Sequence, residues 1–299
     1  FTYAVTLDPA SGIRDGILKR PATDPKVFQI DSATEFWQLR ASLNVADAEG
    51  RPVPVPPNVR LYFESSTGHG FTAGGLLTPP PGLMARCENP TPSSTSELMR
   101  ALLVAMDAWV DRGVEPPASN YPSVEDGTLV ALDEFRKAFP AIPGVRVPTA
   151  LNGLDLLDFG PAFGRHGGVL ALQPPRTSHS YPILVPKPDR DGLDMSGVRS
   201  MRIRAPLGTS AGWNVRKEGH RPGDLCGLTG SFIPFARTAA ERQASGDPRS
   251  SLQERYVNRR GFVRAVEQAA SVLVGARFLL QADADRFVEA AKVSEAVEP

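Results

Sequence analysis

The sequence predicts an α/β fold, because two apolar segments and the residues between them have the pattern of two parallel strands joined by a helix. Residues 26–30 and 59–63 are short apolar runs typical of buried strands. Residues 34–45, which lie between them, can form a crossover helix. The complete unit then has roughly the thirty or more residues that a strand–helix–strand unit requires. Polar residues follow both strands, and open α/β sheets place their functional sites at the carboxyl ends of their strands.

The candidate site residues come after these two predicted strands. Asp31 and Glu35 follow the first strand, and His69 follows the second, between two glycines. We therefore expect an acid and a histidine at neighbouring strand ends, where the histidine can act as general base toward a serine and as general acid toward the leaving group. The alternative for His69 is a loop histidine without a chemical role. The acid one strand earlier favours the catalytic interpretation.

Two residues compete for the role of the acid. Asp31 directly follows the first strand, but it could equally be the N-cap residue of the following helix. Glu35 lies one turn into that helix and can point back along the sheet edge. However, Ser32 and Glu35 also fit the pattern of a capping box. The spacing alone leaves the choice open.

The serine that would complete such a site is missing from the start of the chain. In the α/β-hydrolase fold the nucleophilic serine precedes the acid, and the acid precedes the histidine. Only 25 residues precede the first predicted strand, and none of them forms a nucleophile elbow. We therefore interpret the chain as the C-terminal portion of an α/β-hydrolase sheet. Its serine, and the N-terminal half of the same domain, would lie upstream of Phe1.

Residues 208–212 are a literal G-x-S-x-G match that contains Ser210. This motif works only as a strand, a sharp turn and a helix, because the turn exposes the serine oxygen and the helix N-terminus supplies the oxyanion field. Residues 213–223 lack helical apolar spacing, and the order acid, histidine, serine is wrong for the fold. We therefore predict that Ser210 is structural.

A Pro/Gly-rich loop and then a helix are predicted after the histidine. The loop covers residues 74–92, and the helix begins at a capping box formed by Ser94 and Glu97. Apolar residues recur at helical spacing up to Arg112, and Gly113 can take the left-handed position that ends a helix. Such a helix would cover the last strand of the sheet.

The chain is predicted to consist of three segments. Residues 1–118 are the C-terminal half of the hydrolase core, residues 119–237 are β-rich with long loops, and residues 238–299 are helical. In the β-rich segment the predicted strands are residues 128–132, 168–172, 181–185 and 200–204. The aspartate-rich stretch 189–194 is interpreted as a turn, because it lacks the spacing and the distal glutamate of an EF-hand.

The helical segment carries two further capping boxes, formed by Thr238 with Glu241 and by Ser251 with Glu254. Asp283 can cap a last short helix. One face of a longer helix is predicted to consist of Phe262, Val266, Ala269 or Ala270, Leu273 and Leu280.

Composition argues against several other classes of protein. Lys and Arg together number 33, as do Asp and Glu, so the net charge of zero gives no electrostatic support for binding nucleic acid. No apolar run approaches the roughly 18 residues of a membrane span. The first residue is Phe rather than Met, so any targeting segment lies out of sight and the compartment is left open, with a periplasmic or secreted location allowed.

Cys87 and Cys226 are the two cysteines of the chain. They allow one disulfide, which would suit an oxidising compartment, or two unpaired buried thiols. Neither belongs to a CxxC motif, and none of the four histidines has zinc-ligand spacing with them. We therefore assign neither a metal nor a cofactor.

The segments described above also resemble a family of long bacterial proteins known as alpha/beta hydrolase domain proteins. The matching blocks, in the right order and over nearly the whole chain, are residues 26–37 with 41–43, 59–62 with 68–70, 116–122, 205–209 with 212–214, 230–236, and 246–249 with 254–256. The resemblance implies an α/β-hydrolase core whose G-x-S-x-G nucleophile lies in an N-terminal half outside this chain. It implies Glu35 as the acid and His69 as the base, and it puts Ser210 in a block that is not the nucleophile site.

Together these inferences predict a serine hydrolase that cleaves a small-molecule carboxylic ester by way of an acyl-enzyme. The missing N-terminal half would be its essential partner, and the chain alone is expected to be inactive. The alternative is a non-catalytic binding or interaction module, in which the β-rich segment binds a partner or a carbohydrate and the hydrolase core is a scaffold. An upstream strand–G-x-S-x-G–helix segment in the reading frame would distinguish the two.

Overall fold

The structure of the chain is a computed structural model, which describes residues 2–69, 86–90 and 96–297. Its strands pair two by two. The strands are β1 Thr6–Leu7, β2 Arg14–Asp15, β3 Val27–Ser32, β4 Val59–Glu64, β5 Leu129–Ala131, β6 Asp155–Asp158, β7 Arg176–Ser180, β8 Leu184–Pro186, β9 Gly208–Ala211 and β10 Ser231–Pro234. The helices are α1 Ala33–Gln38, α2 Ser96–Arg112, α3 Leu132–Ala138, α4 Met201–Arg204, α5 Ala239–Ser245, α6 Leu252–Tyr256, α7 Arg259–Gly275 and α8 Gln281–Lys292.

The two predicted parallel strands are present and adjacent. β3 pairs with β4 in parallel, with Val27 opposite Val59 and Ser32 opposite Glu64. The far edge of β4 is covered by two loop segments, since Asn120 forms a parallel bridge with Tyr62 and Val198 forms one with Glu64. In the described parts of the chain, no strand pairs with the far edge of β3.

The crossover between these strands differs from the single helix predicted over residues 34–45. Helix α1 ends at Gln38, and a 3₁₀ helix follows at Ala41–Asn44. Between them Arg40 adopts a left-handed conformation with φ of 58°, which interrupts the helical hydrogen-bond ladder. The Arg40 guanidinium is buried and donates to the carbonyl of Asn152, so a tertiary contact accompanies the break.

Successive residues of β4 point into two hydrophobic clusters on opposite faces of the strand pair. Tyr62 belongs to a cluster that also contains residues of α2, α6, α7 and α8. Phe63 belongs to a second cluster, around Phe36 and Trp37 of α1 and Trp213. The first cluster draws residues from all three predicted segments, while the division of the chain into those segments stays a prediction.

Helix α2 confirms the helix predicted after the histidine. Leu98, Leu102, Ala105 and Trp109 are buried along one face, and Gly113 has the left-handed φ of 68°. Ser94, Gly70 and most of the predicted loop over residues 74–92 lie outside the described residues.

Two of the predicted strands in the β-rich segment are wrong. Residues 168–172 are mostly exposed and irregular. Gly168 has a left-handed φ of 92°, and the N–H groups of Ala171 and Leu172 both donate to the carbonyl of Phe159, so they cannot enter a ladder. Residues 200–204 contain helix α4. The strand was predicted from a short apolar run, but the carbonyl of Ser200 accepts from the N–H groups of Ile203 and Arg204 in one helical turn, which buries Met201 and Ile203.

The remaining strand predictions have mixed outcomes. Residues 128–132 contain β5, which pairs antiparallel with β8, and β8 is shifted slightly from the predicted residues 181–185. β9 and β10 were not predicted; β9 is fully buried, but its Gly-Thr-Ser-Ala sequence has no apolar run to signal a strand. The aspartate-rich stretch 189–194 is a turn, as predicted.

The C-terminal helices begin largely where the sequence predicted. Both capping boxes, at Thr238 and at Ser251, are present. The predicted face of the long helix is buried in α7, but that helix ends at Gly275, and Leu280 is the N-cap residue of α8. The prediction that Asp283 caps α8 is wrong, because it lies in the first turn and accepts from Arg100 Nη2 at 2.7 Å.

A disulfide joins Cys87 to Cys226, so of the two alternatives the bridge is correct. It closes a loop of large size, since the two residues are 139 positions apart. The bridge connects the short described segment 86–90 to the residues that precede β10.

Candidate active site

The structure brings Glu35 and His69 into contact. Glu35 lies in the first turn of α1, after β3, and His69 follows the end of β4, the neighbouring parallel strand. His69 Nδ1 donates a hydrogen bond to Glu35 Oε1. An acid bound to Nδ1 fixes the tautomer of the imidazole and leaves Nε2 as the basic nitrogen.

The other oxygen of Glu35 is held by the helix start. The N–H of Ser32, the N-cap residue, donates to Glu35 Oε2 at 2.8 Å, and Ser32 Oγ donates to the same oxygen. Glu35 is therefore both a partner in the capping box and a hydrogen-bond partner of His69. The cap fixes the carboxylate so that Oε1 is directed at the imidazole.

Asp31 lies within β3 and is not the N-cap residue of α1, which is Ser32. Its buried carboxylate accepts from Gln29 Nε2 at 3.0 Å, Asn44 Nδ2 at 3.2 Å and Tyr121 Oη at 2.7 Å. Burial raises the pKa of Asp31, while the hydrogen bonds from these donors oppose that rise. The described hydrogen bonds of Asp31 thus tie β3 to two other segments, and none of them goes to His69.

The histidine is accessible and the acid is shielded. The side chain of His69 is 46% exposed, whereas that of Glu35 is 16% exposed. No described residue forms a hydrogen bond with His69 Nε2. The described residues therefore leave Nε2 available to a reacting group.

Ser210 does not lie on a nucleophile elbow. It is buried within β9, opposite Phe232 of β10, and no helix begins in the residues that directly follow. The two glycines of the motif have packing reasons: a Cβ on Gly208 would lie 2.5 Å from the carbonyl oxygen of Ile233, and one on Gly212 would lie 2.4 Å from the carbonyl carbon of Ala33. The motif therefore marks close packing of β9 against β10 and against the start of α1.

Sequence reasoning missed several residues that build this site. Tyr121 and Asn44 donate hydrogen bonds to Asp31, and Asp194 contacts the loop that leads to His69. Ser32 was recognised only as one half of a capping box. For Tyr121 and Asp194 no local pattern exists, because their partners lie 90 and 128 positions away in the chain.

An acid and a histidine at the carboxyl ends of adjacent parallel strands are the arrangement expected in the α/β-hydrolase fold. The chain belongs to the alpha/beta hydrolase domain family, whose family model matches residues 7–289. A search of curated proteins and a search of solved structures each found no match. Among the described residues, no helix is both long enough and apolar enough to span a membrane.

Proposed function

We propose that this chain supplies the acid and the base of a serine hydrolase that cleaves small-molecule carboxylic esters. The observation that carries the proposal is the hydrogen bond between Glu35 and His69 at the ends of neighbouring parallel strands, in a member of an α/β-hydrolase family. The nucleophilic serine would lie upstream of Phe1, on a strand–G-x-S-x-G–helix segment. Below, the chain together with this upstream half is called the full-length protein.

The geometry suits a triad mechanism. His69 Nε2 takes the proton of the serine hydroxyl as that oxygen attacks the ester carbonyl, and then delivers the proton to the departing alkoxide. Glu35, bound at Nδ1, stabilises the imidazolium that forms in between. A water activated in the same way by Nε2 then releases the acid from the acyl-enzyme.

The edge of β3 supports an upstream half that completes the sheet. Parallel strands are usually buried within a larger sheet, with neighbours on both sides. In the described residues β4 is flanked on both sides, but β3 is paired only with β4. Phe28 and Ile30 of β3 are only partly buried, so additional strands at this edge would cover apolar surface.

Expression of the full-length protein and labelling with a fluorophosphonate probe tests the proposal. We expect one serine upstream of Phe1 to carry the adduct in mass spectrometry, with esterase activity lost in proportion to labelling. The same assay can be applied to His69→Ala, for which His220→Ala is a matched control, because His220 is exposed and far along the chain from the site. A correctly folded protein with neither label nor turnover would favour the alternative, a binding module on a hydrolase-like scaffold.

A further inference from the structure

The loop that leads from β4 to His69 has an unusual backbone. Ser66 adopts a left-handed conformation with φ of 56°, which is uncommon for a residue other than glycine. Ser65, Ser66 and Thr67 are all buried, so solvent does not satisfy their polar groups. The surrounding structure must hold this conformation in place, because it is not the one that a free serine prefers.

Asp194 holds Ser66 through a reciprocal pair of hydrogen bonds. The N–H of Ser66 donates to Asp194 Oδ2 at 2.6 Å, and the N–H of Asp194 donates to Ser66 Oγ at 2.8 Å. The two residues are 128 positions apart in the chain, so this contact is tertiary. Each side chain therefore satisfies the backbone of the other.

The residues that follow Asp194 extend this contact along the end of β4. Ser65 Oγ donates to the carbonyl of Ser196, and the N–H of Val198 donates to the carbonyl of Phe63 at 2.7 Å. Gly197 lies so close that a Cβ there would be 2.5 Å from the carbonyl oxygen of Phe63. We call residues 194–198 the clasp, since they lie against the strand end from which the histidine loop departs.

The carboxylate of Asp194 is costly to bury, which argues for a role beyond stability. Its residue is only 4% exposed, and within the described residues it forms no ion pair. The positive charge of Arg199 lowers the pKa of Asp194, but Arg199 forms its ion pair with Asp189, at 2.8 Å. Burial raises the pKa of Asp194 to about 7, as expected for a carboxyl without a charged partner. Buried groups with strongly shifted pKa values are concentrated at functional sites.

We propose that Asp194 is a positioning residue, which fixes the loop from Ser65 to His69 so that the imidazole meets Glu35. The inference rests on the proposed function, in which His69 is the base. Asp194 touches neither Glu35 nor His69 through any described hydrogen bond, and it acts through Ser66. A base that is displaced by about 1 Å loses roughly a hundredfold in rate.

The test compares Asp194→Ala, Asp194→Asn and Asp191→Asn in the full-length protein labelled with ¹⁵N-histidine. Asp191→Asn is the matched control, because Asp191 is also buried in the same turn but pairs with Arg255 and not with Ser66. The readouts are the Nδ1 and Nε2 signals of His69, assigned with His69→Gln, and kcat and KM for a p-nitrophenyl ester.

We expect Asp194→Ala to shift the His69 signals and to lower kcat by about ten- to a hundredfold with little change in KM. Asp194→Asn should keep the His69 signals and kcat close to those of the wild type, because its amide oxygen can still accept from the N–H of Ser66. Asp191→Asn should lower the melting temperature without moving the His69 signals. If Asp194→Ala does not fold, Ser66→Ala, which removes one of the two bonds, gives the same readouts.

Identical His69 signals in Asp194→Ala and Asp191→Asn would overturn the positioning role. The NMR readout does not depend on ester hydrolysis. The His69 signals could move only when the bonds between Asp194 and Ser66 are weakened, while the protein hydrolyses no ester. That result would support the positioning role of Asp194 and refute the proposed function. Unchanged His69 signals in a protein that hydrolyses esters would refute the positioning role of Asp194 and support the proposed function.

Discussion

Glu35 accepts a hydrogen bond from His69 at Oε1 while Oε2 accepts one from the backbone of Ser32 at 2.8 Å. The capping box and the proposed triad thus share one carboxylate. A cap is worth about 1 kcal/mol to a helix, so Glu35 has a structural role in addition to any chemical one. Variants of Glu35 must therefore be compared by turnover and by stability separately.

The proposed base predicts that His69→Ala abolishes hydrolysis of a short p-nitrophenyl ester. Loss of a triad base costs several powers of ten in rate and leaves only the contributions of substrate binding and the oxyanion hole. Because the side chain is 46% exposed, its removal should hardly change the melting temperature. Turnover close to that of the wild type, or to that of the His220→Ala control, would refute the assignment.

The proposed acid predicts that Glu35→Gln lowers turnover far more than Asp31→Asn does. A glutamine at position 35 can keep a hydrogen bond to His69 but cannot stabilise the imidazolium as a carboxylate does. Asp31→Asn should instead lower the free energy of unfolding, by about 1–3 kcal/mol, since it disturbs a buried acceptor of three hydrogen bonds. Steady-state rates and urea denaturation of both variants decide this. A larger loss of rate in Asp31→Asn would mean that the two roles are reversed.

Ser210 is predicted to be structural. Ser210→Ala should leave ester turnover and fluorophosphonate labelling of the full-length protein unchanged, because Ser210 lies within a paired strand and not on a turn before a helix. An adduct mapped by mass spectrometry to Ser210 would contradict both this prediction and the proposal of an upstream nucleophile.

The sequence carried enough information to predict the parallel strand pair and to place Asp31, Glu35 and His69 after its strands, but the spacing left the choice between the two acids open. Glu35 and His69 each lie within a few residues of the end of an apolar run, and a parallel arrangement brings the ends of such strands together. The residues that support the site could not be predicted from the sequence. Tyr121 and Asp194 act across large sequence separations, and β9 is buried although its residues are small and include no large apolar side chain. The short apolar run at residues 200–204 was wrongly interpreted as a strand, because a single helical turn can bury both Met201 and Ile203.

The raised pKa of Asp194 predicts a pH dependence of stability. Burial raises that pKa from the ordinary value near 4 to about 7; the hydrogen bonds with Ser66 and the charge of Arg199 oppose the rise, and the charge of Asp189 adds to it. Between these two values the folded protein keeps a proton that the unfolded chain has released. The free energy of unfolding therefore falls as pH rises from about 4 to about 7, by up to roughly 4 kcal/mol, and then levels off.

Urea denaturation of the full-length protein and of its variant Asp194→Asn at several pH values isolates this effect. Asparagine resembles the neutral acid and does not titrate, so the stability of the variant relative to the wild type should increase over that range. Paired carboxyl groups with lowered pKa values, such as Asp247 and Asp283, give the opposite trend in both proteins and cancel in the comparison. A difference that is constant with pH would show that folding does not raise the pKa of Asp194.

The proposal that an upstream half completes the sheet predicts that the 299-residue chain on its own is inactive and poorly folded. In the described residues β3 has a strand on one side only, and an unpaired edge with partly buried Phe28 and Ile30 beside it favours association with other chains. We expect the purified chain to aggregate or to bind a hydrophobic dye, and to show no esterase activity above a heat-treated control. Addition of the upstream half as a separate polypeptide should reduce dye binding and restore activity. A soluble monomer with a cooperative melt and with turnover that fluorophosphonate inhibits would mean that this chain contains its own nucleophile.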